Sequence, residues 1–141
     1  KDRQVACFGW SSPPWHMGPR DRFIGWSPAV RKGNLHLIAY NTRFLILPWV
    51  KVKNLASYAL GACMRRLRYD WHERYGHDLL LVETFVDRSR FTGACYRAAN
   101  WMRVGKTKGR SRQDRYMKIK VPVKDLYVYP LAADFKQRLC A

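Results

Sequence analysis

Residues 51–57 bring together side chains and backbone groups that bind anions. Lys51 and Lys53 supply positive charge, Asn54 has the side chain of a helix cap, and the residues that follow have the pattern of a helix. The first N–H groups of a helix have no partner within it, and they attract phosphate and carboxylate groups. The sequence therefore predicts an anion site where a strand meets a helix.

Glu83 interrupts the apolar segment 79–86, which has the composition of a buried strand. A carboxylate in such a strand is costly unless it is paired or takes part in a reaction. Glu83 is therefore our candidate for a catalytic acid or base. The alternative is a structural ion pair with an arginine such as Arg43 or Arg97.

Basic residues are concentrated in residues 103–120, where Asp114 is the only acidic residue. We interpret this segment as a basic loop that contacts nucleic acid, although many charged loops are merely solvated. Its candidate phosphate ligands are Arg103, Lys106, Lys108, Arg110, Arg112, Arg115 and Lys118. Arginines 65, 66 and 68, on the polar surface of a predicted helix, are further candidates.

The overall charge favours the same class of partner. The 141 residues include 27 Lys and Arg against 10 Asp and Glu, giving a net charge of +17. A compact domain repels itself at that charge, so we expect a polyanionic partner, DNA or RNA. The alternatives are charge spread for solubility, or acidic parts elsewhere in a larger protein. A hydrophobic fraction of 48% excludes a disordered polycation.

Other function classes find no support in the residue spacing. The four cysteines and four histidines do not have the spacing of a zinc site, so we expect no metal. No nucleotide-binding loop or nucleophile elbow is present. No apolar run approaches the length of a membrane span, and we expect a cytoplasmic protein. The start at Lys1 favours a piece truncated at its N-terminus.

The order of predicted elements indicates one domain over residues 1–141, an α/β (α+β) fold with a mixed central sheet and flanking helices. Strands are predicted at residues 5–10, 35–39, 43–50, 79–86, 101–104 and 121–129. Residues 40–42 form a hairpin turn, residues 44–50 are deeply buried, and Pro48 marks a bulge or an edge. Helices are predicted after Ser27 and Pro28, from residue 55 to the capping Gly76, and at residues 91–100 and 131–139, with 20–26 as a loop.

This order of elements resembles the acetyltransferase (GNAT) fold. In that family the strand before the helix is bulged, its amides receive the acyl-CoA arm, and the helix N-terminus holds the pyrophosphate. The segment from Tyr96 to Trp101 matches the family's Tyr-x-x-x-Gly-Phe, so the resemblance implies Tyr96 as general acid, with Glu83 as base. It also implies an acyl-CoA site at Val50, Val52, Asn54, Leu55, Ala56 and Ser57, where Asn54 and Ala56 replace the usual glycines.

Longer segments are similar to the DruA family. They are FIGW at residues 23–26, NTRFLILPWV at 41–50, NLAS at 54–57, ETFVD at 83–87, CYRAANW at 95–101 and GKTKGR at 105–110. That family is the A component of the Druantia anti-phage defence system and is also found beside or fused to bacterial transposases. The resemblance implies a role in defence or mobile-element biology, with other defence or transposase components as partners.

Three functions remain open at this point. The leading hypothesis is a defence or transposase-associated protein that contacts nucleic acid through basic surfaces on a GNAT-like scaffold. The alternative is an acyl-CoA-dependent N-acyltransferase. The third is a non-catalytic assembly subunit that uses the anion-site junction to bind a protein partner.

Overall fold

A five-stranded mixed sheet forms the centre of the molecule. The structure is a computed structural model that describes residues 4–108 and 122–141. The strands are β1 (Ala6–Ser11), β2 (Ile38–Ile46), β3 (Leu81–Asp87), β4 (Met102–Lys106) and β5 (Lys124–Pro130), in the order β1-β2-β3-β5-β4. Strands β2 and β3 are parallel, and the other neighbours are antiparallel.

Helices cover both faces of this sheet. They are α1 (Gly18–Ile24), α2 (Pro28–Asn34), α3 (Leu55–Tyr75), α4 (Ala94–Ala98) and α5 (Phe135–Leu139), with a 3-10 turn at Leu35–Leu37. One core cluster joins α3 and α4 to the face that carries Val82 and Val86, and another joins α1 and α5 to the face that carries Leu81. The predicted α+β class, with a mixed sheet and flanking helices, is confirmed.

Strand β3 lies in the middle of the sheet, as its apolar sequence predicts. Its residues from Leu81 to Thr84 are all buried, because β2 and β5 flank it and helices cover both faces. Successive side chains point to opposite faces, so Glu83 belongs to the face of Leu81 and Thr84 to the face of Val82.

The predicted hairpin at residues 35–50 is wrong. Residues 40–42 do not turn the chain, because they lie inside β2, which pairs with β1 from Ser11↔Tyr40 to Ala6↔Ile46. The composition of residues 40–42 is typical of a turn, but Asn41 is buried within the strand. Its side-chain amide Nδ2 donates to the carbonyls of Gly9 and Arg43. The bulge lies at Thr42, which has no opposite residue in β1.

The expectation that residues 44–50 are deeply buried is also wrong. Leu45 is 51% exposed and Trp49 is 53% exposed. The strand ends at Ile46, and Pro48 lies in the connection after it, where its missing N–H costs no ladder bond. The strand therefore does not pass directly into the helix.

Helix α3 begins at Leu55 and ends at Tyr75, with Gly76 at φ 76° closing it as predicted. Its buried residues are Leu60, Met64 and Leu67, which form one face toward the core. Asn54 precedes the helix in the left-handed conformation at φ 62°, and its side chain makes no capping hydrogen bond, so the predicted side-chain cap is wrong.

Several shorter elements differ from the predictions. Residues 20–26, expected to be a loop, contain most of α1, whose first turn is closed by the Asp21 carboxylate accepting from the Met17 N–H at 3.1 Å. Seven residues are too few for helical periodicity to show. The helices expected at 91–100 and 131–139 shorten to α4 and α5. The cap at Ser27 is confirmed, since its side chain accepts from the Val30 N–H.

Candidate functional site

A cleft opens where β2 and β3 separate. The two strands pair only over Ile38↔Leu81, Ala39↔Val82 and Tyr40↔Glu83. Beyond this point β2 follows β1 and β3 follows β5. The backbone groups on the inner edges of both strands then have no partner strand within the described residues. The resulting cleft has a volume of about 270 Å³.

Three buried polar side chains line the floor of this cleft. The Tyr96 hydroxyl donates to Asn41 Oδ1 at 2.8 Å, and Thr84 Oγ1 donates to the Asn41 carbonyl at 3.1 Å. Helix α4 positions Tyr96. The residue before the helix, Gly93, has a φ of 75° and approaches the Tyr127 hydroxyl so closely that no room is left for a Cβ. The floor is therefore a rigid polar surface.

Aromatic rings form the walls and the mouth of the cleft. Phe44 and Phe85 line its sides, and Phe91 lies at its mouth with 60% of the residue exposed. Phe44 stacks on Phe8 at 4.4 Å, and Phe85 meets Tyr40 edge to face at 5.2 Å between ring centroids. Neighbouring rings therefore hold the walls in place, whereas Phe91 presents its ring to solvent.

The two predicted catalytic residues lie on opposite faces of the sheet. Tyr96 packs on the face of Thr84, and burial raises its pKa to about 12. Glu83 points to the other face, toward α1. The structure therefore does not bring Tyr96 and Glu83 together around one substrate.

Glu83 is fully buried and paired with Arg20, not with either arginine suggested by the sequence. Its Oε1 accepts from Arg20 Nη1 at 3.1 Å, while Oε2 has no partner within the described chain. Arg20 is also fully buried, and it donates to Asp21 and to the Pro14 and Trp15 carbonyls. Burial outweighs the attraction of Arg20 and raises the pKa of Glu83 to about 7.

The six residues predicted to hold a cofactor lie outside the cleft lining. Val50 and Val52 are in the connection after β2, Asn54 precedes α3, and Leu55, Ala56 and Ser57 form its first turn. Ser57 Oγ donates to the Asn54 carbonyl, and no acceptor among the described residues meets the N–H of Ala56 or Ser57. Lys51 and Lys53 are exposed in the connection that precedes α3.

Four arginines lie on α4, in the connection that precedes it and on β4, and we call them the arginine cluster: Arg88, Arg90, Arg97 and Arg103. The buried carboxylate of Asp125 accepts from Arg88 Nε at 3.2 Å and from Arg103 Nε at 2.9 Å. Arg97 donates to the Thr92 carbonyl and to the Tyr127 hydroxyl. The cluster lies at the end of the sheet where the cleft opens, since Asp87 pairs with Lys124 and Asp125 with Lys106 there.

The predicted phosphate ligands are divided by the structure. Arg103 belongs to the arginine cluster, and Lys106 and Lys108 are exposed at the same end of the sheet. Arg110, Arg112, Arg115 and Lys118 lie outside the described residues. The sequence reasoning missed Arg88, Arg90 and Arg97. The pair of arginines directly after the β3 segment was the available signal for the first two.

The three predicted arginines of α3, Arg65, Arg66 and Arg68, do not all lie on one face. A helix turns by about 100° per residue, so Arg66 and Arg68 point to nearly opposite sides. Arg66 pairs with Asp70 at 3.0 Å, and Arg68 pairs with Asp78 at 3.2 Å and donates to the Leu131 carbonyl. Arg65 is exposed and has no acidic partner within the described residues. Two of the three arginines are therefore engaged by carboxylates, and phosphate binding by Arg65, Arg66 and Arg68 stays a prediction.

Residues 1–120 match the family described as Druantia protein DruA. The chain belongs to the DruA family. DruA is a component of the Druantia anti-phage defence system, and the family predicted from the sequence motifs is confirmed. A search of curated protein sequences gave no match to this DruA-family chain.

Among solved structures, this DruA-family chain is similar to the crystal structure of the microcin C7 self-immunity acetyltransferase MccE in complex with acetyl-CoA and AMP. The TM-score is 0.45 at 10% sequence identity, and the match covers 69% of this chain. The chain spans about half of that structure, since 48% of it is covered.

Two further observations concern the described part of this DruA-family chain. None of its helices has the length and apolarity needed to cross a membrane. Its His, Cys, Asp and Glu side chains form no group of three or more that could hold a metal ion.

Proposed function

We propose that this DruA-family chain contacts nucleic acid through the arginine cluster. The observation that carries the proposal is the pair of arginines on Asp125. Each uses its Nε atom on the carboxylate, and their side chains are 67% and 44% exposed. Their terminal nitrogens make no hydrogen bond or ion pair within the described residues, so each guanidinium held by Asp125 keeps donors for a further partner. Oriented guanidinium groups of this kind bind phosphate oxygens in a bidentate manner.

Charge around the cluster supports the same function. Asp87, at the end of β3, is an acidic residue close to Arg90 in the chain, and its carboxylate accepts from the N–H and hydroxyl of Ser89. Lys106 and Lys108 add positive charge at this end of the sheet. A phage genome and a transposon are both nucleic acids, so a phosphate-binding surface suits either setting of the family.

Replacing either Arg88 or Arg103 with Gln is expected to weaken DNA binding roughly five- to tenfold at moderate salt. Each single change leaves the other guanidinium on Asp125, so the buried carboxylate keeps a partner. The slope of log affinity against log salt should fall by about 1, because one phosphate contact is lost. Fluorescence anisotropy of a labelled DNA across a salt series measures both quantities.

Arg74→Gln is the matched control. It makes the same change of charge at an exposed position near the C-terminal end of α3, which lies at the other end of the sheet. Equal losses for Arg74→Gln and for the two cluster variants would show that only net charge matters. Affinity that does not depend on salt would contradict the proposal altogether.

A second candidate function is favoured by the free amides at the start of α3. The N–H groups of Ala56 and Ser57, with Lys51 and Lys53, fit the phosphates of an acyl-CoA. Such a cofactor would supply an activated acyl group. We propose Tyr96 as the general acid in that case, without Glu83 as its partner because Glu83 lies on the other face.

If this second function is correct, acetyl-CoA at a hundredfold excess over its Kd is expected to stabilise the chain by about 2.7 kcal/mol. Differential scanning fluorimetry detects this as a rise in Tm, and Lys51→Gln combined with Lys53→Gln should reduce the rise. A Tm that is unchanged at millimolar acetyl-CoA would exclude a useful acyl-CoA site. Coenzyme A lacking the acyl group is the control for phosphate binding alone.

A further inference from the structure

We propose that the cleft between β2 and β3 takes one unpaired base of a single-stranded nucleic acid, which stacks on Phe91. The inference rests on the nucleic-acid contact proposed above and names the form of nucleic acid that the site accepts. Four observations support it: the position of Phe91, the charge at the mouth, the shape of the cleft and the unpaired backbone edges inside it.

Phe91 is held in place although its ring is exposed. Its N–H donates to the Asp87 carbonyl at 2.8 Å, and the N–H of Arg90 donates to the same carbonyl at 3.0 Å. Asp87 also binds Ser89, so the turn between β3 and α4 is fixed by one residue. An aromatic ring that is already oriented and exposed loses little conformational freedom when a base stacks on it.

Positive charge borders the mouth of the cleft on both sides. Arg90 lies over the Phe91 ring at 5.7 Å, and the exposed Arg43 lines the opposite edge on β2. Arg90 belongs to the arginine cluster, whose Arg88 and Arg103 are held on Asp125. A base that entered the cleft would therefore have its flanking phosphates next to guanidinium groups, as in proteins that bind single strands by combining stacking with backbone charge.

The size and lining of the cleft suit one flat ring system. Its volume of about 270 Å³ is slightly below the range of drug-sized ligand pockets, which begins at roughly 300 Å³. Phe44 and Phe85 form its walls, while the floor is polar at Asn41 and Thr84. No strand pairs with the inner edges of β2 and β3 beyond Tyr40↔Glu83. Apart from the Asn41 and Arg43 carbonyls, which already accept side-chain hydrogen bonds, their backbone groups can meet the complementary groups of a base.

The occupant must be unpaired because bases in a duplex are stacked on their neighbours and paired at their edges. A base inside a helix reaches such a cleft only by leaving the stack, which costs a few kcal/mol. A base in a single strand is already unpaired, so little of this free energy is needed for it to enter the cleft. The arginine cluster alone would bind single-stranded and duplex forms alike through their phosphates. A preference for single strands is therefore evidence for binding in the cleft and on Phe91.

The test compares wild type with Phe91→Ala on a labelled oligothymidylate of about 12 nucleotides and on the matching duplex. At equal salt the wild type is expected to bind the single strand about tenfold more tightly than the duplex. Phe91→Ala should lose roughly tenfold in single-strand affinity and keep its duplex affinity, whereas Phe91→Trp should keep both. A 2-aminopurine base in the strand should lose fluorescence on binding wild type but not Phe91→Ala.

Tyr69→Ala is the control for losing an exposed ring. Tyr69 is 61% exposed and lies beside Arg66 on α3, with a ring-to-cation distance of 5.3 Å, and it does not line the cleft. The inference is overturned if Phe91→Ala binds both forms as wild type does, or if Tyr69→Ala matches its loss. In those cases the salt slopes of the Arg88 and Arg103 variants still test the proposed function. Binding to neither form by the wild type would overturn both.

Discussion

An Arg20→Met variant is expected to be less stable than the wild type by about 3–5 kcal/mol at pH 8. Arg20 lies fully buried between α1 and β3, where its guanidinium contacts Glu83, Asp21 and two loop carbonyls. Methionine fills much of the same space, but the buried Glu83 carboxyl loses its cationic partner, so at pH 8 it must stay ionised without one or take up a proton on folding. Equilibrium unfolding in urea, monitored by tryptophan fluorescence, measures the loss.

Two further variants check the cause of this effect. Adding Glu83→Leu to Arg20→Met should recover most of the stability, because two apolar side chains replace the ion pair. Arg66→Met removes an exposed ion pair with Asp70 and should cost less than about 1 kcal/mol. A loss below about 1 kcal/mol for Arg20→Met would show that the buried pair contributes little.

The second large effect is a dependence of stability on pH that comes from Glu83. Burial raises its folded-state pKa from 4.5 to about 7. The folded chain therefore holds this proton over a pH range in which the unfolded chain has released it. The favourable contribution is complete below pH 4.5 and is lost as the pH rises to about 7. A shift of 7 − 4.5 = 2.5 corresponds to about 3 kcal/mol.

Unfolding free energies measured at intervals from about pH 5 to pH 8 test this result. The wild type should lose stability across the range, whereas Glu83→Gln should lose about 3 kcal/mol less. Asp21, on the same network, has a pKa lowered below 3.8 by its Trp26 and Arg20 hydrogen bonds despite partial burial. Its contribution therefore changes only below this pH range. The same slope in wild type and Glu83→Gln would rule out Glu83 as the source.

Local patterns in the sequence predicted those elements whose stability comes from nearby residues. The apolar run before Glu83 requires two covered faces, and β3 has them. Gly76 ends α3 because a residue without a Cβ adopts the left-handed conformation at low cost. The Ser27 side chain begins α2 for an equally local reason, since it accepts a hydrogen bond three residues along the chain.

The errors came from residues whose state depends on distant partners. Asn41 resembles a turn residue, yet it lies in β2 because Gly9 and Tyr96 provide hydrogen-bond partners that offset its burial. The importance of Glu83 was visible, but Arg20 is separated from it by 63 residues and follows no sequence pattern. The cleft was not visible at all, because it arises from the divergence of two strands rather than from any residue type.

The short parallel contact between β2 and β3 also has a mechanical consequence. It divides the sheet into two plates, β1 with β2 and β3 with β5 and β4, which share three ladder positions. A helix that contacts both plates must resist their bending, and the core cluster that contains Leu60, Ala39 and Val82 links α3 to each of them. The width of the cleft therefore depends on the three β2–β3 residue pairs at its closed end and on the stiffness of α3, which packs across both parts of the sheet.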